Sequence, residues 1–294
     1  MKAPAFDYVR ATSLPQVFAL LRQHGDAARL LAGGQTLVAT LNMRLSEPAL
    51  LIDINALDGL RGITLAADSL ATSSLATNRL RIGALVTHAE IEASPLVARH
   101  APLLAQAAPH IAHRAIRNLG TLGGSLAYAD PAAEWPACVR ALDAVLVLVS
   151  AQGERRVPAA DFFQGLYTTA LRPDELLAAC EVPVLQADER QHFDELARRH
   201  GDYAITGLAA RALWRGGRLH GLRLAFLGLE DRPVRAPRTE ALLEAQAPTD
   251  ALLQQALQTL GGELQPMGDL THSAETKRHL AGVLAQRALR KLCA

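Results

Sequence analysis

Arg29-Leu30-Leu31-Ala32-Gly33-Gly34-Gln35-Thr36-Leu37 carries a short apolar run into a glycine pair and then to a hydroxyl residue. A turn built on two glycines bends where a Cβ would clash, and it can aim successive N–H groups at one point, as a phosphate requires. Residues 28–31 read as a strand entering this turn, and residues 50–54 read as a second strand behind it. Upstream, Ser13-Leu14-Pro15-Gln16 reads as a capping box that opens a helix, with Val17, Phe18, Leu20 and Leu21 at helical spacing and Gly25 as its stop. Residues 1–55 are therefore expected to form a βαβ-like unit with the glycine loop at a strand end, where such units bind ligands. The loop is not G-x-G-x-x-G, so a Rossmann reading is rejected.

A second loop of the same kind lies far downstream in Gly120-Thr121-Leu122-Gly123-Gly124-Ser125-Leu126-Ala127. One glycine pair is ordinary turn punctuation. Two that both end in a hydroxyl residue point to a dinucleotide clamped from two sides. Between and after them, residues 60–82 are strand-like, and Thr87-His88-Ala89-Glu90 forms a second capping box. Residues 95–116 read as helix, with Pro102 and Pro109 breaking it or starting new segments. Residues 134–142 read as helix and 144–149 as a β-branched strand turned back at Gly153. Pro173, Pro183 and the polar run 186–191 mark a change of texture. Strands follow near 192–199, 207–215 and 218–228, with Arg215-Gly216-Gly217-Arg218 as a hairpin turn. Helices are expected over 238–246, 250–260 and 274–292, which makes the chain α+β.

With these motifs in this order, the chain resembles the FAD-binding medium subunit of the molybdenum hydroxylases, the group that includes carbon monoxide dehydrogenase and the multi-subunit xanthine dehydrogenases. The resemblance runs from Phe6-Asp7-Tyr8 to the last helix. It takes in Gly83-Ala84, Thr87-His88, residues 171–176 and Arg198-Arg199-His200-Gly201-Asp202-Tyr203-Ala204. It implies a two-part FAD-binding domain of the vanillyl-alcohol-oxidase/PCMH type over 1–176, divided into 1–55 and 56–176. A smaller domain of antiparallel strands and helices is then implied over 177–294.

The resemblance also implies a non-covalently held FAD. Residues 29–37, with Arg29, Leu31, Ala32, Gly33, Gly34, Gln35, Thr36 and Leu37 as contacts, would wrap the adenosine side and the diphosphate. Gly120, Thr121, Gly123, Gly124, Ser125 and Ala127 would close over them, with Ala84, Thr87 and Leu176 beside the cofactor. A helix cap by itself also accounts for Thr87. Ser125 stands where relatives more often carry Asn, and Glu134 where they commonly carry Asp, toward the adenosine ribose. Asp130 either shares that contact or fixes its loop. Tyr203 is expected beside the isoalloxazine face or, alternatively, as a packing anchor. Arg198 and Arg199 either face the flavin or pair with Asp194 and Glu195.

Composition narrows the rest. The chain has 294 residues, 50% hydrophobic and 20% charged, which fits a folded protein with a sizeable core. A net charge of +1 and 4% aromatic residues give no footprint for nucleic acid. No apolar run approaches the roughly 20 residues of a membrane span, and residues 1–12 show no secretory h-region. A cytoplasmic location is expected. Cys138, Cys180 and Cys293 lack close pairing, so iron–sulfur clusters are expected on another chain. His88, His110 and His113 have no accompanying metal-ligand spacing. The function implied is electron transfer from substrate oxidised at a molybdopterin centre of a large subunit. The route passes through [2Fe-2S] clusters of a small subunit to FAD on this chain and on to an acceptor, in a heterotrimer or dimer of heterotrimers. The rivals are a stand-alone FAD-dependent oxidoreductase of the same fold class and an assembly subunit that has lost its flavin.

Overall fold

The apolar run behind the first glycine loop becomes the middle of a small parallel sheet. In the computed structural model, which describes residues 2–67 and 78–294, the first piece comprises β1 (Asp7–Arg10), α1 (Leu14–His24), β2 (Ala28–Leu31), α2 (Leu37–Asn42) and β3 (Leu50–Asp53). The strand order is β1-β3-β2, all parallel. All four residues of β3 are buried, as a middle parallel strand requires. The cap of α1 differs from the expected box by one residue. Ser13 accepts the Gln16 N–H (3.4 Å), but the Gln16 side chain takes the N–H of Thr12 (2.9 Å), not that of Ser13.

The second piece runs through β4 (Ile63–Ala67), β5 (Asn78–Gly83), α3 (His88–Ala93), α4 (Pro95–His100), α5 (Pro102–Ala107), α6 (Arg114–Arg117), α7 (Leu122–Tyr128), α8 (Glu134–Ala141), β6 (Val145–Ser150), β7 (Gly153–Pro158), α9 (Ala159–Phe162), β8 (Phe163–Gly165), β9 (Thr168–Thr169) and β10 (Leu176–Pro183). The strand-like stretch 60–82 is thus β4 and β5, and its middle, 68–77, lies outside the described residues. Pro95 and Pro102 each open a helix, where a missing N–H has no partner to lose. Thr87 and Glu90 make the predicted reciprocal cap of α3.

The large sheet has the order β4-β5-β10-β6-β7 and is antiparallel. Its central strand, β10, is the last of the five in sequence. The expected boundary at 176/177 coincides with the first residues of β10, so the sheet carries the chain on to Pro183. Glu181 lies buried in β10 and is matched by Arg81 (2.8 Å) and by Arg156 (2.7 and 3.0 Å).

The third piece is an antiparallel sheet of β11 (Glu189–Ala197), β12 (Ala204–Arg215), β13 (Arg218–Leu227) and β14 (Val234–Arg235), followed by α10 (Pro237–Leu243), α11 (Asp250–Glu263) and α12 (Ala274–Cys293). The two-glycine turn closes the β12–β13 hairpin with Arg215 opposite Arg218. One face, with Leu208, Ala210, Leu224 and Phe226, packs in a core with Leu260, Leu284 and Leu289 of the helices. The other face, with Phe193, Ala209, Ala225 and Leu227, joins the core of the second piece. α8 is caught between, and Trp135, Ala137, Cys138, Val139 and Ala141 are wholly buried. Just past α8, Asp143 accepts from Arg211 (2.5 Å) and Arg223 (3.0 Å) and lies 3.5 Å from Arg235, tying the third piece to the second.

Candidate cofactor site

A cavity of about 1060 Å³ opens where the pieces meet, at the upper end of the range for small-molecule sites. The first glycine loop forms one wall. β3 supports it: Asn55 donates to the Ala32 carbonyl (2.9 Å) and to Asp53 (2.8 Å), while Tyr8 donates its hydroxyl to the same carboxylate. Burial opposes ionisation of Asp53, but Tyr8 and Asn55 outweigh it and hold the carboxyl below its ordinary value.

Two glycines of this loop are required for different reasons. A Cβ on Gly33 would stand 2.0 Å from the carbonyl oxygen of Leu119, so only glycine lets the two loops touch. Gly34 has φ of +70°, the left-handed region that L side chains avoid. Among the described residues, no protein acceptor takes the N–H of Gly33, Gly34, Gln35 or Thr36. These donors lie on the cavity wall and are free for a ligand.

The second loop is built differently, although its sequence looks alike. The N–H groups of Leu122 and Gly123 donate to the carbonyls of Val86 and Ala84, both at 2.9 Å. Those of Gly124 and Ser125 donate to the hydroxyl and the carbonyl of Thr121, both at 3.1 Å. The loop spends its backbone on closing against residues 84–88 and opening α7. Toward the cavity it offers a wall and the Ser125 hydroxyl, not an amide nest.

Behind this wall, His88 is buried and its Nδ1 accepts from Trp135 (2.9 Å), which places its hydrogen on Nε2. Burial and then Arg117 lower its pKa to about 4, so the imidazole is neutral. Glu134, on the first turn of α8, is raised to about 8 by burial and then by the Glu195 carboxylate. Burial also raises Asp130, against the opposing effects of the Ala132 N–H and the Tyr203 hydroxyl. Tyr203 lies at the mouth, 71% exposed as a residue, while its hydroxyl reaches the buried Asp130 and its phenol is pushed up to about 12 by burial and then by Asp130. Tyr128 and Tyr167 meet there with ring centres 5.1 Å apart.

Every residue expected beside a cofactor lines this cavity except Leu31 and Thr87. Leu31 stands behind the loop, its carbonyl taking the Ile54 N–H (3.1 Å), and Thr87 is occupied in the cap of α3. Arg198 and Arg199 neither line the cavity nor pair with the acids expected of them. Asp194 meets Arg287 (3.3 Å) and Glu195 meets His110 (3.4 Å). Tyr128 was legible, since it lies one helical turn from Gly124 on the same face. Tyr167 carries no local signal; it reaches the mouth from the tip of the β8–β9 hairpin, with φ of +51°.

The residues fit a dinucleotide: free amides for a diphosphate, hydroxyl donors at Thr36 and Ser125, and an aromatic mouth for a planar ring. Comparison with known proteins agrees. Residues 4–185 match the family described as FAD binding domain in molybdopterin dehydrogenase, and residues 191–292 match CO dehydrogenase flavoprotein C-terminal domain. The chain is 37% identical to the alpha subunit of the 6-hydroxypseudooxynicotine dehydrogenase complex of Paenarthrobacter nicotinovorans, over 99% of this chain and 95% of that one. It is 33% identical to the carbon monoxide dehydrogenase medium chain of Hydrogenophaga pseudoflava, over 98% and 97%. The solved carbon monoxide dehydrogenase of Hydrogenophaga pseudoflava superimposes with a TM-score of 0.92 at 35% identity, covering both chains completely.

Proposed function

Because the chain belongs to the family of FAD-binding subunits of the molybdenum hydroxylases, we propose that it holds FAD non-covalently in the cavity and passes electrons through it within a larger complex. The observation that carries this reading is the run of unpaired amides from Gly33 to Thr36 on the cavity wall. Those N–H groups take the diphosphate, as backbone nests take anions. Gly33 keeps the second loop against them, and Ser125 adds a hydroxyl from the facing wall. Glu134 accepts from ribose hydroxyls, and Tyr203 covers the ring at the mouth and limits access of water. Once bound, the flavin supplies the electron uptake and release; the chain supplies binding, orientation and shielding.

The electrons come from [2Fe-2S] clusters on a small partner subunit, fed by a molybdopterin centre on a large one. The assembly is a heterotrimer or a dimer of heterotrimers in the cytoplasm. Relatives named for different oxidised compounds share this chain's full length, which fits a substrate that never touches it. Native purification of the tagged chain tests the reading. FAD and iron–sulfur absorbance together with two further subunits are expected. A lone FAD-bearing chain that turns over substrate would establish the stand-alone oxidoreductase instead, and a chain free of flavin would remove both.

A further inference from the structure

The connection between β11 and β12, residues 198–203, brings the third piece to the cavity, where Gly201, Asp202 and Tyr203 line the wall. It binds itself thinly, with the Asp202 N–H on the Arg199 carbonyl (3.1 Å). Its neighbours across the seam belong to the second piece, in the turn 109–113 ahead of α6. The His200 ring stacks on that of His110, with centres 6.3 Å apart. Gly201 lies against the His113 ring, so closely that a Cβ there would stand 2.7 Å from both Nδ1 and Cε1. Its φ of +88° is also left-handed, so glycine is required for two reasons. The turn beneath is held firmly. Ala112, whose carbonyl oxygen would stand 3.1 Å from the same Cβ, has φ of +42°. A side-chain-bearing residue stays there only where its surroundings fix it. Arg117 is buried and does so. Its Nη1 donates to the carbonyls of Ile111 and Ala112, both at 3.1 Å, and its Nε to Glu92 (2.9 Å). The His113 carbonyl then takes the N–H groups of Ile116 (2.9 Å) and Arg117 (3.1 Å) as α6 begins.

Given the proposed FAD site, on which this rests, we infer that His113 is a positioning residue: by seating Gly201 it sets the Tyr203 ring across the cavity mouth. Tyr203 is too exposed for packing to aim its ring. Two things aim it instead. Its hydroxyl reaches Asp130 at one end, and at the other its backbone follows Gly201, two residues earlier, on the His113 ring. His113 itself is exposed and does not line the cavity, so it serves the site only through what rests on it. A connection without this seat moves as exposed loops do and uncovers the ring beneath.

The test measures how readily iodide quenches the fluorescence of flavin bound to the full chain. His113→Ala and Tyr203→Ala should keep their FAD, and each should raise the quenching constant by about twofold or more. The double variant should quench no faster than Tyr203→Ala alone, because a residue acting through another adds nothing once that other is gone. General loosening of the fold would add. His113→Phe keeps a flat ring beside Gly201 and should return the parental value. In the FAD-free chain, the α-proton resonances of Gly201 should shift in His113→Ala, which removes the ring beside them. Parental quenching in His113→Ala at full FAD occupancy, multiplying effects in the double variant, no recovery with His113→Phe, or unmoved Gly201 resonances would each overturn the inference while leaving the FAD site standing. If Tyr203→Ala itself quenches like the parent, Tyr203 does not cover the ring, and its proposed role falls together with that of His113. A parent chain that takes up no FAD ends the functional reading and this inference with it.

Discussion

Gly33, first of its pair, and Gly124, second of its pair, lie in two look-alike loops, yet replacing them has unequal consequences. A methyl group on Gly33 meets a backbone carbonyl that cannot move alone, whereas one on Gly124 meets the Thr121 hydroxyl at 2.9 Å and the Ala32 methyl at 3.9 Å. Gly33→Ala should therefore cost about 1–3 kcal/mol and lower FAD affinity by about tenfold or more, because the loops must part. Gly124→Ala should cost less, because the Thr121 hydroxyl it crowds belongs to a side chain and not to the backbone; FAD titration of the two variants checks the contrast. Asn55→Ala removes the donor to the Ala32 carbonyl, a loss of about 1 kcal/mol. That is about a fivefold rise in the FAD Kd, measurable by fluorescence titration. If affinity stayed unchanged, the loop would be held by something other than β3.

At the scale of the element, α8 carries both the wall of the cavity and the junction between pieces, and Glu134 makes its stability depend on pH. In the folded chain its carboxyl titrates near 8, against an ordinary value of 4.5. The folded state therefore keeps a proton that the unfolded chain releases. Stability falls as pH rises from about 4.5 to about 8, and levels off above. Glu134→Gln removes this slope in the FAD-free protein. Its Tm relative to the parent should climb steadily across that interval, and a constant difference between pH 5 and 8 would contradict the assignment. The glycine loops teach the same lesson about elements: α7 grows out of the second loop and consumes its amides, whereas the first loop leaves its own unpaired.

For the whole molecule, the telling feature is that the second and third pieces share one apolar core through α8. Asp143 sits beside that seam with Arg211, Arg223 and Arg235 around it. Asp143→Ala removes the acid shared by three guanidiniums, of which Arg235 keeps Glu240 and Arg211 keeps Glu189 at 3.9 Å. Its carboxylate is 40% exposed, so screening reduces the loss to about 1–2 kcal/mol, or a Tm fall of about 4 °C. A single cooperative transition is expected to persist in calorimetry, because the shared core couples the pieces; two separated transitions would mean they melt independently.

Much of this was written locally. The capping box of α3, the strand of residues 50–53, the two-glycine hairpin and the long C-terminal helix follow from spacing and residue type, because each is satisfied within a few residues of itself. The position of the two glycine loops followed for the same reason. Three things did not. The place of β10 in the centre of the large sheet, and its run to Pro183, depend on pairing with strands 30 to 100 residues away. The arrival of Tyr167 at the cavity mouth depends on where a distant hairpin lands. Above all, the difference between the loops was invisible in their near-identical letters. Sequence determined that each would turn on paired glycines; which of them kept free amides was decided by what the folded chain laid against it.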